Sequence, residues 1–395
     1  MAQDEQGTTG RVYWDAGQSA PLHPAAREAL VAALDDGWAD PSRSHTPGRR
    51  ARLLLDGARE ACAAGLGART EELVFLPSHA AALHAGVLGA LTARRRVGDV
   101  LVHSAVEHSA VLAAAGWHAA RGGRCVEVGV DRTGRVDLDA FVDAVRAPGV
   151  AAATLQVANG EVGTCQPVTQ ALDACRDAGV PLVVDAGSAA GHVAVPAADV
   201  LVADPASWGA GPGTGLLVVR AGTRWVDPGP TQPGVRGSSG HGSAGAGVPA
   251  VLAAAVSLQH VLAGRAEADA RRRAAVDRLR TAVPALVADV EVVGDPHDRL
   301  PHVLTFSCLF ADGEALLEAL DREGFAVGSG SACTADELRP SHVLAAMGVL
   351  THGNVRIALP ATTTSDELAT QVDRFTEVLP RVVEAVRDRL GTANL

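Results

Sequence analysis

Residues 204–220 read DPASWGAGPGTGLLVVR, and the parsing of this stretch decides the fold. It divides into a strand end, a glycine-rich turn and a fully apolar strand, and such a turn lets backbone approach a ligand closely. Outward from it, apolar runs of strand length recur at 73–76, 100–103, 125–130, 152–157, 182–185, 200–203 and 216–219. Helical patterns lie between most of them, at 80–93, 109–120 and 168–177. This alternation predicts an α/β fold, a mostly parallel sheet covered by helices on both faces, with ligands at the carboxyl ends of its strands.

Before the sheet, a short strand-like run at 12–15 leads through AGQSAPLHP into a helix from about 25 to 34, and a second helix from 50 to 66 stops at Gly67. After it, 228–247 is rich in glycine, serine and proline and reads as a long loop. A helix from about 248 to 265 continues into a charged helical run, AEADARRRAAVDRLRTAV. VEVVG, HVLTFSC and NVRIAL then read as strands of a smaller domain, with helices at 312–324 and 366–389. The expected organisation is an N-terminal arm (1–20) packing on the small domain, a large domain (21–258) and a small C-terminal domain (259–395).

At 395 residues and 47% hydrophobic content the chain can bury one large core and a second smaller one. A net charge of -11 without a basic block argues against nucleic acid and anionic membrane as partners. The first ten residues are polar, and no apolar run of about 18 or more suggests a membrane span, so a cytoplasmic protein is expected. Six cysteines, at 62, 125, 165, 175, 308 and 333, form no CxxC pair, which predicts neither disulfides nor a metal site. Lysine is absent from the chain, so all 34 Lys+Arg residues are arginine.

Several motifs carry chemistry. Gly328-Ser329-Gly330-Ser331-Ala332-Cys333-Thr334 is followed by Glu337, Pro340-Ser341 and Val343-Leu344; Asn354-Val355-Arg356-Ile357-Ala358-Leu359 ends the small-domain strands. Val183-Val184-Asp185-Ala186 closes one sheet strand, and Glu107-His108-Ser109-Ala110-Val111 opens a helix. With Asp40-Pro41-Ser42 through Gly48-Arg49, and the outline Asn159, Glu161, Gly163, the chain resembles the NifS-like cysteine desulfurases, of the class V aminotransferases, over nearly its whole length.

The resemblance implies a pyridoxal phosphate (PLP)-dependent transferase fold of type I, a large domain with a mostly parallel seven-stranded sheet plus a smaller α/β C-terminal domain. It implies that Cys333 is the thiol on a loop that attacks the substrate's sulfur and leaves as a persulfide, a role suited to an exposed thiol among glycines and serines. Arg356 would bind the substrate carboxylate with its two-donor fork. Asp185 would pair the pyridine nitrogen and His108 would stack on the ring.

The departures matter as much. Anchored on Gly211-Pro212, the PLP lysine of the family falls on Trp208, whose indole nitrogen is a donor only and cannot form a Schiff base. Ser78-His79-Ala80-Ala81 stands where the family's phosphate turn reads Gly-Ala-Thr-Glu, and Gly160 stands where an asparagine is usual. Ser188 replaces the glutamine after Asp185, while Pro205 and Ser207 replace a serine and a histidine. The threonine lent by the partner subunit falls near Gly245.

Losing the amine, a hydroxyl and a histidine together predicts a vestigial pocket at His108, Asp185, Ser188 and Ser207, with PLP absent or weakly bound and Trp208 filling the vacated space. The expected protein is then a non-catalytic sulfur acceptor, scaffold or partner, as a homodimer or a heterodimer with a lysine-bearing relative, exchanging sulfur with a donor or acceptor protein. The alternative is an active transferase or lyase, of the desulfurase type, that works without a covalent lysine.

Overall fold

In a computed structural model, which describes residues 10–228, 247–329 and 340–391, the seven apolar runs expected as sheet strands all enter one sheet. The chain opens with β1 (Val12–Trp14), α1 (Pro24–Asp36) and α2 (Thr46–Gly65). It then alternates through β2 (Leu73–Leu76), α3 (His79–Arg94), β3 (Val100–Ser104), α4 (Ser109–Ala119), β4 (Arg124–Val128), α5 (Leu138–Arg146) and β5 (Val150–Gln156). Next come α6 (Val168–Ala178), β6 (Leu182–Asp185), β7 (Val200–Ala203) and β8 (Gly215–Val219). The remainder is α7 (Val248–Leu286), β9 (Val290–Val293), β10 (Val303–Cys308), α8 (Gly313–Arg322), β11 (Phe325–Val327), α9 (His342–Met347), β12 (Asn354–Ala358) and α10 (Ser365–Leu390).

The sheet order is β2-β8-β7-β6-β5-β3-β4, and β8 alone runs antiparallel to its neighbours. Every residue of β5, β6 and β7 is buried, as strands covered on both faces require. β4 at the edge instead carries exposed Arg124 and Glu127, charges that discourage pairing with another sheet. One face packs on α3 and α4, the other on α2, α5, α6 and the first half of α7.

A second core gathers β1, the second half of α7, the antiparallel sheet β12-β10-β9, α8, β11 and α10. Trp14 anchors it, its ring 5.4 Å from Phe325 and 5.2 Å from Phe375, and its indole N–H donates to Gln371 Oε1 at 3.0 Å. β1 also pairs in parallel with β11, which joins the first strand of the chain to a late one. Elements α5, α9 and β11 are additions to the sequence reading; β11 and α9 are too short to show a period.

α2 begins at Thr46 rather than near 50, because His45 Nδ1 accepts the Gly48 N–H and Pro47 sits in the first turn, where its missing N–H costs nothing. α7 is one helix of 39 residues, long and apolar enough by composition to cross a membrane. Its apolar residues Val251, Ala254, Leu258 and Val261 lie in the first core and Val276, Leu279 and Val283 in the second. The long loop expected at 228–247 lies almost wholly outside the described residues, with the position near Gly245.

Candidate functional site

The topology brings five connections to one end of the sheet. β2, β3, β5, β6 and β7 are mutually parallel through the pairings of the sheet, so their carboxyl ends point the same way, and the amino end of antiparallel β8 meets them. Around this rim lies an open cleft of about 280 Å³, lined by Ser78, His79, His108, Ser188, Asp204 and Thr214 among others. It sits where ligands bind in open α/β sheets.

Glycines let the walls close in. In the turn before β8, Gly209, Gly211 and Gly213 have φ of 85°, 79° and 105°, the left-handed region that disfavours side chains. A Cβ on Gly215 would lie 2.2 Å from the Ser78 carbonyl oxygen, so β8 can approach the start of α3 only as glycine. Likewise a Cβ on Gly160 would lie 2.4 Å from Ser188 Oγ. The two departures noted in the sequence, a residue lost at 160 and one shortened at 188, are therefore adjacent in space.

Asp185 ends β6, buried, and accepts two hydrogen bonds at Oδ1: from the Gly187 N–H at 2.7 Å and from His79 Nε2 at 2.8 Å. His79 is the first residue of α3, whose start is capped by Ser78 Oγ accepting from the Ala81 N–H at 3.1 Å. Burial opposes charging His79, but the Asp185 carboxylate outweighs it and raises the imidazole above its ordinary range. Burial likewise pushes Asp185 up, and the charge and hydrogen bond of His79 with the Gly187 N–H hold it below the usual carboxylate value. Both shifts favour a proton on His79 Nε2 and the charge on Asp185.

His108 stands edge-on to His79 with ring centroids 4.9 Å apart, and its Nδ1 accepts the Ala110 N–H at 3.1 Å to cap α4. Burial lowers its pKa, so it stays neutral with the proton on Nε2. Beneath them Glu107 is fully buried, accepts the Gln156 N–H at 3.1 Å and leaves Oε2 without a partner among the described residues; burial and the nearby Asp185 push it up to about 8. The sequence reading names His79 only within the altered turn 78–81, where the lost hydroxyl is at Ala80, and gives it no role of its own. Asking what partner the buried Asp185 finds would have pointed to it.

Trp208 does not fill the cleft. It ends a short 3-10 turn, Pro205–Trp208, is buried, and turns its indole towards α7, where Nε1 donates to the Ala254 carbonyl at 3.3 Å. Its neighbour Ser207 is not among the cleft residues either: its hydroxyl donates to the Asp204 carbonyl at 2.8 Å, and its own carbonyl accepts from His192 Nε2 at 3.1 Å. Both line a separate void of about 20 Å³ with His192, Arg272 and His302, room for about one water. The correction has a steric reason. Gly209 takes the left-handed turn immediately after Trp208, and Gly191, whose Cβ would lie 3.3 Å from the Trp208 Cβ, leaves space for the indole on the core side.

Arg356, in β12, is buried and donates from Nη2 to Asp15 Oδ1 at 2.7 Å, while its Nε has no partner among the described residues. Its backbone exchanges hydrogen bonds with Gly328 at 2.7 and 2.9 Å. On the other side of the segment 330–339, Ser341 Oγ donates to Glu161 Oε2 at 2.8 Å, and burial raises Glu161 to about 7. Both flanks of that segment are thus tied beside Arg356 and Glu161. Cys333 itself lies outside the described residues. The other five thiols are all raised by burial: Cys62 and Cys175 to about 12, Cys165 and Cys308 to about 11, and Cys125 in the same direction.

A family model described as Aminotransferase class-V matches residues 12–370. Similar curated proteins include a cysteine desulfurase of Cereibacter sphaeroides, 34% identical over 389 residues that span 95% of this chain and 97% of that one. The cysteine desulfurase NifS of Azotobacter vinelandii is 29% identical over 388 residues, 95% and 94% of the two chains. Among solved structures, one described as a NifS-like protein superposes with a TM-score of 0.84 at 22% identity, over 93% of this chain and 99% of that one. DndA from Streptomyces lividans superposes with a TM-score of 0.71 at 25% identity, over 88% and 99%.

Proposed function

The chain belongs to the class-V aminotransferase family, among relatives that are cysteine desulfurases, and from that premise we propose a cysteine desulfurase-like protein that has lost PLP chemistry and is retained as a sulfur acceptor, scaffold or partner. The observation that carries this reading is Trp208, buried at the lysine's place with its indole N–H spent on the Ala254 carbonyl. An indole has no lone pair to give. The rest of the cleft fits the cofactor no better: Asp185 is already engaged by His79, Ser78 Oγ is used as a helix cap, and no arginine lines the cleft among the described residues. A dianionic phosphate in the cleft would find the Asp204 carboxylate and, among the described lining residues, no arginine to offset it.

Cys333 is the proposed sulfur-carrying thiol, with Arg356 the residue nearest to hand for a substrate carboxylate. An unperturbed thiol titrates near about 8.5 and keeps a few per cent thiolate at neutral pH. The five described cysteines do not compete, since burial raises each of them. A cytoplasmic setting suits such chemistry because thiols stay reduced there. The second reading, a transferase or lyase without a covalent lysine, is favoured by the open cleft of about 280 Å³ itself.

Limiting iodoacetamide followed by mass mapping tests the proposal. Cys333 is expected to label first, and after incubation with a persulfidated desulfurase to carry one extra sulfur that a reductant removes. The purified protein should be colourless and release no sulfide from free cysteine. First labelling at another cysteine, or no transferable sulfur on Cys333, would leave scaffolding alone; bound PLP with turnover above a protein-free control would sink the proposal.

A further inference from the structure

We infer that the imidazole of His79 is a built-in substitute for a nitrogen heterocycle: it supplies from within the chain the ring N–H that Asp185 would otherwise take from a bound cofactor, and so closes the cleft to PLP. The inference rests on the reading above that the cleft no longer holds PLP, and it assigns the exclusion to a side chain that nothing else in the comparison with the family singles out.

The geometry carries it. Asp185 is buried at the end of a central strand, and a carboxylate there needs a donor, because removing both water and partner leaves an uncompensated charge. A protonated ring nitrogen approaching in its own plane is one solution; His79 Nε2 at 2.8 Å from Oδ1 is another. The imidazole also takes the room such a ring would need. A Cβ on Gly187 would lie 2.5 Å from both Cε1 and Nε2 of His79, so the ring rests directly on that glycine. His108, the residue that resemblance makes the ring-stacking histidine, instead meets His79 edge-on at 4.9 Å.

Sequence explains how one change achieves this. His79 stands where the family's phosphate turn has alanine, at the first position of α3, and the helix cap on Ser78 and the close contact of Gly215 with the Ser78 carbonyl hold that backbone in place. From there the side chain reaches Asp185 across the rim. Arg356 is treated the same way by Asp15, so the two charged groups that cofactor and substrate would meet each already have a partner in the chain. The vacated chemistry is neutralised internally, and the large core keeps its charges paired without a ligand.

The test compares PLP binding, by bound-cofactor absorbance, in wild type, Trp208→Lys, and the double variant His79→Ala/Trp208→Lys, and thermal melting of His79→Ala with and without imidazole. The double variant is expected to bind PLP at least about tenfold more tightly than Trp208→Lys. His79→Ala should melt lower than wild type and recover with added imidazole, to which wild type does not respond. If Trp208→Lys binds PLP as tightly as the double variant, or if imidazole leaves His79→Ala unchanged, the inference is overturned while the loss of PLP in wild type stands; PLP bound by wild type overturns the reading beneath it instead. Should His79→Ala not fold, nitrogen NMR of wild type decides, since the inference requires the proton of His79 on Nε2, and an unprotonated Nε2 refutes it.

Discussion

At the scale of single residues, the cleft is governed by which polar group meets which. Trp208 illustrates a substitution whose consequence lies behind the site rather than in it: the indole leaves the cleft and becomes part of the first core beside Val261 and Ala254. An aromatic side chain of that size buries about 200 Å². Trp208→Ala should therefore cost about 3–5 kcal/mol, measured by urea unfolding. A loss under about 1 kcal/mol would mean that the indole is not packed as described. The same substitution should leave the His79–Asp185 pair in place, because the two sites share no lining residue.

At the scale of elements, the glycine-rich turn and β8 set how close the rim can draw. Gly215 opens β8 opposite Leu76 of β2, and a methyl group there would press on the Ser78 carbonyl at 2.2 Å and on the His79 nitrogen at 2.8 Å. Those are backbone atoms. They cannot rotate away, so Gly215→Ala should cost about 1–3 kcal/mol and displace the start of α3, taking His79 with it. The check is chemical denaturation together with the His79 ring resonances; an unchanged midpoint would show that β2 and β8 can separate freely. α7 is the other organising element, since its two halves belong to different cores and any bend in it moves one core relative to the other.

At the scale of the whole molecule, buried titratable groups shape stability against pH. His192 is pushed down to about 3 by burial and Arg272, and His302 well below its ordinary value by burial and its histidine neighbour. Both bind protons only on unfolding, so stability falls as pH drops below about 6.5. Glu107 and Glu161 are raised from 4.5 to about 8 and about 7, and they hold protons that the unfolded chain has lost. Their contribution falls as pH rises from 4.5 through those values, and His79, raised, acts in the same sense above 6.5. The opposing slopes overlap between 4.5 and 6.5, so melting temperature should peak in that window and decline on both sides. A maximum above pH 8 would contradict the burial of the glutamates.

The same scale sets the assembly. Val31, Leu34 and Trp38 of α1 and the region after it, with Leu53 of α2, are exposed, Trp38 by 71% and Leu53 by 74%. Large apolar side chains on adjoining helices favour association with a second chain. Light scattering at micromolar concentration should give a dimer mass, and Trp38→Glu should weaken the dimer; a monomer mass for the unaltered protein would exclude the pairing.

The sequence by itself determined the alternation of elements, the membership of the seven-stranded sheet and the absence of an amine at 208. Strands buried on both faces are predominantly apolar, so β5, β6, β7 and β8 announce themselves locally, and a missing lysine is visible without any geometry. It also indicated His108 and Ser188, which line one cleft, and Asp185, which lies against it. Only the tertiary structure decided that Trp208 turns into the core, that Ser207 turns with it, that His79 answers Asp185 across 106 positions and that Asp15 answers Arg356 across 341. The pairing of β1 with β11 belongs with these. A period in sequence reports what a residue's own element demands, whereas the partner of a buried charge is chosen by whichever group the fold delivers within hydrogen-bond reach, and no local pattern records that choice.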